Sequence, residues 1–322
     1  MEERKDMNKT DKEMDMYQTQ KNTDGNNNIE ETPSEIVLLH RGEEGYPERL
    51  LALPHMPEEL YLLGKLPRED LPTVGIVGAR ACSAYGRIQA FRYAREFSEA
   101  GVQVISGLAS GIDSEGHKGA LDGPTPTFAV MGCGVDVCYP RYNRGLYQRI
   151  LRQGGGIVSE YPPGMPAMPH HFPLRNRIIS GLSDIVLLVE ARVKSGSLIT
   201  ASHAMEQGKS VYALPGAVND PLSRGCHELI FDGAGIAYCP EVILSELGIP
   251  AEKQKEKRKE KKPLLTGEEK ILYDRMEECK VMELDHLVNI TGWPVEKVCS
   301  LLLQLILKNA VMETGRQQYL KQ

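Results

Sequence analysis

Between His170 and Ala204 the sequence gathers residue types that suit a ligand carrying phosphates and bases. Phe172 offers an aromatic face, and Arg175 and Arg177, flanking Asn176, offer two guanidinium groups that stay charged at any working pH. Further on, Lys194-Ser195-Gly196-Ser197 leads into an apolar, helix-like segment from Leu198. A glycine-containing loop feeding a helix N-terminus is an anion site, because its N–H groups lack intrahelical partners and the helix dipole favours negative charge there. Between these two features runs Ile185–Val189, a continuous apolar stretch bracketed by Asp184 and Glu190, which predicts a strand buried on both faces. Taken alone, this unit does not separate a mononucleotide from a polynucleotide.

Other phosphate and catalytic signatures are missing. The turn Gly75-Ile76-Val77-Gly78-Ala79-Arg80 does not fit GxGxxG, and Ser106-Gly107 stand where a dinucleotide site would place a ribose-binding acid. There is no GxxxxGK[ST], and Gly107-Leu108-Ala109-Ser110-Gly111 lacks the central serine of a nucleophile elbow. Asp113, His117, Glu160 and Glu190 are the titratable candidates. Asp113 reads as a helix cap, Glu190 and Asp184 as structural or arginine-pairing carboxylates, and His117 as a partly buried histidine. His170 and His171 are read as lying on a loop. These residues make no acid–base–nucleophile set.

Around this unit, short apolar runs recur at Val74–Val77, Val102–Ile105, Thr127–Met131, Ile157–Ser159, Ile185–Val189, Ser210–Leu214 and Ile236–Tyr238. Most are separated by helix-length amphipathic segments. In Arg87–Ala100, for example, Ile88, Phe91, Ala94 and Phe97 share a face and Gly101 stands at the stop. Strand and helix in alternation predict an extended Rossmann-like, doubly wound, mostly parallel sheet covered on both sides. Ile36–Leu39 and Leu60–Gly64 read as a lead-in that buttresses it. Ligands of such sheets bind beyond the carboxyl ends of the strands. The turns there are Gly78-Ala79-Arg80, Ser106–Gly111, Gly132-Cys133-Gly134 and Lys194–Ser197, so a row of anion sites is expected along one edge. Repeated anion sites suit a backbone with repeated phosphates better than one small molecule.

Composition narrows the class. At 322 residues, 41% hydrophobic and 25% charged, the chain is long enough for one large domain and a small one. The charged N-terminus does not read as a secretory signal, no apolar run is long enough for a membrane span, and seven cysteines without a CxxC pair fit reduced thiols in the cytoplasm. Cys133 and Cys138 are the closest pair, and no histidine stands at ligand spacing, so no metal or cofactor is expected. The net charge of −6 requires any nucleic-acid contact to rest on local positive charge. Residues 1–35, with ten acids against five bases, read as a disordered polar arm. Residues 36–248 form the Rossmann-like domain, and 249–263 a charged linker. Residues 264–322, with a capping-box pattern at Thr266–Glu269, three helical segments and a hairpin turning at Thr314-Gly315, read as a winged helix. The would-be recognition helix carries only Lys297 and Lys308, which leaves duplex reading and protein contact equally open.

The segments GIVGARACSAYG, ISGLASGIDSEGHKGAL, AVMGCGVDVCYPRYNRGLY, VSEYPPG, HHFPLRNRIISGLSDIVLLVEARVKSGSLITASHA and YALPGAVNDPLSRGCHELIFDGA closely resemble, in the same order, the bacterial DNA-processing protein A (DprA/Smf) family. The likeness runs from about Tyr46 to Leu247. It implies a non-catalytic single-stranded DNA binding protein of natural transformation that protects incoming DNA, loads the RecA recombinase, displaces single-strand binding protein and forms a homodimer. The family's Gly-Ser-Arg turn corresponds to Gly78-Ala79-Arg80, its FPxRNR block to Phe172, Pro173, Leu174, Arg175, Asn176 and Arg177, and its KSGS loop to Lys194, Ser195, Gly196 and Ser197. Ser106, Gly107 and Gly111 complete the expected DNA-binding set. Ala79 departs from the family by lacking a hydroxyl, and the polar arm stands where many members have a helical N-terminal domain. Two other readings compete. One is a nucleotide-binding or nucleoside-phosphate hydrolase of the lysine-decarboxylase-like Rossmann group, whose PGGxGTxxE block is absent. The other is a transcription regulator reading duplex through the winged helix.

Overall fold

The apolar runs assemble into one nine-stranded sheet in a computed structural model that describes residues 35–250, 265, 267–277, 281–308 and 310–321. The strands are β1 (Ile36–His40), β2 (Glu59–Gly64), β3 (Thr73–Val77), β4 (Gln103–Ser106), β5 (Thr127–Met131), β6 (Gly156–Ser159), β7 (Ile185–Leu188), β8 (Ser210–Ala213) and β9 (Gly235–Ile236). Their order is β1-β2-β6-β5-β4-β3-β7-β8-β9. From β6 to β9 every pairing is parallel, whereas β1–β2 and β2–β6 are antiparallel. The lead-in is therefore part of the sheet itself: β2 extends it at β6, with Leu62 opposite Val158.

Strands β3 to β7 are buried along their whole length, as expected of parallel strands covered on two sides. One layer contains α1 (Glu48–Leu51), α5 (His171–Leu182), α6 (Gly196–Glu206) and α7 (Arg224–Phe231), which place Leu50, Ile178, Ala201 and Leu229 against Val77, Phe128 and Val186. The other contains α2 (Ala84–Ala100), α3 (Ile112–Leu121), α4 (Arg144–Arg152, after a short 3-10 turn at Arg141–Asn143) and α8 (Pro240–Glu246). There Tyr93, Phe97 and Ile243 pack on Val74, Ile76 and Leu187, while Ile150 and Leu146 close the end over Met131 and Ile157. Helix α2 stops at Gly101 (φ 89), whose N–H returns to Phe97 and Ser98.

The chain order reverses at β3: β4, β5 and β6 lie on one side of it, β7, β8 and β9 on the other. The turns after β3 and β7 diverge there and leave a crevice at their carboxyl ends.

The last module has its own apolar core around Leu272, Leu287, Val298, Leu302 and Tyr319. It comprises α9 (Gly267–Arg275), β10 (Val281–Glu283), α10 (Leu284–Thr291), α11 (Val295–Leu307), β11 (Val311–Gly315) and β12 (Gln318–Lys321), with sheet order β10-β12-β11. This is the winged-helix arrangement, with one strand more than the hairpin read from sequence. The hairpin turns at Arg316-Gln317 rather than Thr314-Gly315: the register shifts between Glu313 and Gly315, and Gln317 takes the left-handed position (φ 58). The polar arm and the charged linker fall outside the described residues, apart from Glu35, Ile249 and Pro250; Thr266 of the capping-box pattern is also outside them.

Candidate functional site

The turn after β3 is held in place before any ligand is considered. A side chain at Gly78 would meet Ile112 and the Glu190 carbonyl. The Ala79 carbonyl accepts the Ile112 N–H at 3.2 Å. Gly111, at φ +74, lies so close to the Ala79 and Arg80 carbonyls that no Cβ fits. With its neighbours packed, Arg80 is the part of the turn that projects, exposed, with its guanidinium carbon 4.9 Å from the Phe172 ring centroid.

Phe172 comes from α5, and α5 explains which residues of the FPLRNR block reach the crevice. The sequence predicts a loop at His170 and His171. The helix instead begins at His171, with Pro173 tolerated in its first turn. Phe172, Arg175, Asn176 and Ile179 then follow at i, i+3, i+4 and i+7, one helical face, and all four line the crevice. Arg177, two residues from Arg175, points elsewhere: its Nη2 pairs with Glu160 Oε2 at 2.7 Å and its Nε donates to the His55 carbonyl at 2.9 Å.

Arg175 lies under the surface. It is 3% exposed, donates from Nη1 to the Val130 carbonyl, and occupies the space that a side chain on Gly107 would need. Burial pushes its pKa down to about 10, opposed by the charge of Asp113. Asp113, also buried, accepts the Gly107 N–H at 3.1 Å, and burial raises its pKa against the pull of Arg175. Burial therefore weakens the negative charge of the only carboxylate lining this crevice among the described residues. Asn176 reaches across the crevice and donates to the Gly196 carbonyl at 3.2 Å.

The opposite wall is the loop after β7. Glu190 is 1% exposed, and accepts from the Ser83 N–H and hydroxyl, so it anchors the start of α2. Beyond it, Arg192, Val193 and Lys194 are exposed, and Lys194 takes the left-handed backbone (φ 63), uncommon for a residue other than glycine. Ser195 caps α6: its hydroxyl accepts the Ser197 N–H at 3.4 Å and lies 2.9 Å from the Ser197 hydroxyl. The crevice between the walls has a volume of about 710 Å³. Arg80, Arg192 and Lys194 surround it, the α6 N-terminus faces it, and Phe172 and Tyr139 supply rings 5.6 Å apart.

Of the residues expected to bind DNA, Gly78, Ala79, Arg80, Phe172, Arg175, Asn176, Lys194, Ser195, Gly196 and Ser197 line this one crevice. Ser106, Gly107, Gly111 and Arg177 do not. The Ser106 hydroxyl is buried and donates to the Ile76 carbonyl at 2.6 Å, so the Ser106–Gly111 turn supports the Arg80 turn from behind. Sequence reasoning passed over Arg192 and Tyr139. Arg192 stands four residues past the end of β7, on the turn where a ligand of such a sheet is expected. Tyr139 lies beyond the glycine turn after β5, and only the fold returns it to Phe172. His117 is fully buried, its Nδ1 2.8 Å from the Thr127 hydroxyl. Asp184 pairs with Arg49 at 3.4 Å and accepts the Thr73 N–H at 2.7 Å. His171 is buried against Tyr161, with Nδ1 3.1 Å from the Gly132 carbonyl.

A parallel sheet with a cationic, ring-lined crevice at its switch point defines an anion-binding protein of Rossmann type. Residues 37–248 match the family model of DNA recombination-mediator protein A, and the chain belongs to that family. Protein Smf of Escherichia coli (strain K12) is 43% identical over 210 residues, which cover 65% of this chain and 56% of the relative; the chain thus spans little more than half that relative's length. DNA processing protein DprA of Streptococcus pneumoniae is 41% identical over 204 residues, 63% of this chain and 72% of the relative. Two solved structures share the fold. The X-ray structure of DNA processing protein A from Streptococcus pneumoniae is 38% identical with a TM-score of 0.62, covering 67% of this chain and 75% of its own. DNA processing protein A from Helicobacter pylori, whose structure concerns its single-stranded DNA binding mode, is 31% identical with a TM-score of 0.60, covering 66% of this chain and 95% of its own.

Proposed function

We propose that this protein is a non-catalytic recombination mediator that holds single-stranded DNA in the crevice between the β3 and β7 turns. The observation that carries the proposal is the pairing of Arg80, Arg192, Lys194 and the α6 N-terminus with the Phe172 face in one cleft. Fixed cations and free N–H groups answer a phosphate backbone, and a ring answers any base, which gives affinity without sequence selection. A binding role over turnover is supported by the structural partners of His117, Glu190 and Asp184. Duplex reading by the winged helix is disfavoured because Lys297 of α11 and Lys308 at its C-terminal end already pair with Glu268 and Glu269 of α9. In this reading the protein acts in the cytoplasm during natural transformation, as a homodimer, protecting incoming strands from which single-strand binding protein is displaced and onto which RecA recombinase is loaded. No single helix among the described residues is long and apolar enough to cross a membrane.

The test is fluorescence anisotropy with labelled single strand, duplex and mononucleotide at two salt concentrations. Single strand binds best and weakens with salt, while Arg80→Ala and Lys194→Ala each lower its affinity about tenfold and flatten the salt slope by roughly one. Equal affinity for duplex, or turnover of a mononucleotide, overturns the proposal.

A further inference from the structure

The crevice has a prolongation that the predicted binding set does not include. It starts at Tyr139, whose ring lies 5.6 Å from that of Phe172, and follows the chain into the turn Arg141–Asn143 and the start of α4. Tyr142 is 72% exposed, an unusual position for a ring in a segment that is otherwise firmly anchored. The anchor is Asn143, buried beneath it. Asn143 Nδ2 donates to the Leu108 carbonyl at 2.8 Å and to the Ser114 hydroxyl at 2.9 Å. The Tyr142 hydroxyl itself bonds the Ser110 hydroxyl, beside Ala109 of the crevice wall. The ring is therefore set in place by two contacts to the loop after β4 and one to the first turn of α3, without its face being covered.

Arg141 and Arg144 bracket this ring, and both are exposed. No carboxylate among the described residues forms an ion pair with either, although many other arginines of the domain, such as Arg49, Arg68, Arg92, Arg95 and Arg177, are paired. An exposed ring, rigidly held, with an exposed arginine on either side of it in the chain, offers the same two residue types as Arg80 and Phe172 one step further out. Arginine and ring together grip a phosphate and stack a base, whatever the base.

We infer that Tyr139, Arg141, Tyr142 and Arg144 form a second single-strand subsite, over which the strand leaves the crevice. The inference rests on the crevice itself being the primary binding place. It gives the protein a polarised track: a short strand is satisfied by the crevice alone, whereas a longer one gains a second stacked base and further phosphate contacts.

The experiment compares oligothymidylates of increasing length on the full chain carrying Tyr142→Ala, Tyr142→Phe, Arg141→Ala with Arg144→Ala, or Arg80→Ala, with photo-crosslinking of 5-iodouracil-substituted strands to locate the contact. The expected result is that Tyr142→Ala weakens long strands about fivefold or more and leaves the shortest binding strands unchanged. Tyr142→Phe keeps the stacking face and wild-type affinity for long strands. The double arginine variant lowers the salt slope for long strands by roughly one to two. Crosslinks form at Tyr142 only with long strands. Equal affinities of wild type and Tyr142→Ala at every length, with Arg80→Ala still impaired, overturn the second subsite and leave the crevice reading standing. Undiminished binding by Arg80→Ala at every length removes the crevice and the track with it. A fall in oligomeric state on Tyr142→Ala, without a length-dependent change in affinity, assigns the ring to self-association and also overturns the inference.

Discussion

Two buried residues, Arg175 at the floor of the crevice and His117 in the core behind it, give the sharpest predictions about stability. Removing Arg175 leaves the Val130 carbonyl without its donor and the buried Asp113 without its counter-charge. Arg175→Ala is expected to lower stability by about 3–5 kcal/mol, because the lost partner leaves an uncompensated charge inside; urea unfolding measures this, and a midpoint equal to wild type refutes it. Loss of DNA binding in that variant reports unfolding before it reports contact, so Arg80 and Lys194 are the informative positions. His117 offers a cleaner signal. The Thr127 hydroxyl donates its one proton to the Val104 carbonyl, so His117 donates from Nδ1, and its Nε2 has no partner among the described residues. Burial pushes its pKa from the ordinary 6.5 down to about 3. Below pH 6.5 the unfolded chain takes up this proton and the folded one does not. The neutral imidazole's contribution is therefore intact above pH 6.5 and drains away toward pH 3, a loss on the order of 5 kcal/mol by then and about 3 kcal/mol by pH 4. Between pH 7 and 4 the unfolding free energy of wild type should fall by about 3 kcal/mol more than that of His117→Gln, measured by urea titration; parallel curves contradict it.

Elements fix where the site's side chains point. Helix α5 sorts its polar side chains by periodicity, sending Arg175 and Asn176 to the crevice and Arg177 to Glu160. Helix α2 shows how tightly the frame around β7 is built. Its Gly86 accommodates the Glu190 carboxylate, which in turn holds the Ser83 cap, whose hydroxyl accepts the Gly86 N–H at 3.0 Å. Glycine to alanine inside a helix ordinarily stabilises by roughly 1 kcal/mol. Gly86→Ala is expected to do the opposite, costing about 1–3 kcal/mol, because the new Cβ meets that carboxylate. Thermal unfolding decides it: a raised midpoint means Glu190 moves aside freely.

At the scale of the molecule, the winged-helix module keeps its own core, around Leu287 and Leu302, while the crevice is lined only by residues between Val77 and Leu222. A chain ending at residue 250 is therefore expected to fold and to bind single strand within about twofold of the full protein, since it retains every phosphate contact proposed for the crevice. Anisotropy titrations of both proteins check this, and loss of binding on truncation relocates the site.

Strand existence, the parallel sheet and the edge where the crevice opens were legible from sequence because each rests on local physics. Thr127–Met131 reads as a buried strand by its apolar run, and Lys194–Ser197 as an anion loop by its glycine and the helix behind it. The family likeness carried the candidate residues further than pattern alone. What sequence did not decide was which side of an element faces the ligand. Arg175 and Arg177 look equivalent in a string; helical rotation separates them, and burial removes Arg175 from the surface. Ser106, Gly107 and Gly111 look like a phosphate loop, yet their polar groups and their missing Cβ atoms are taken up by Ile76, Arg175 and Arg80. Tyr139 and Phe172 meet only because β5, β6 and α5 fold the chain back on itself. Composition and spacing determine which elements form and what chemistry they carry. Close packing in three dimensions decides which of those groups remain free to use it.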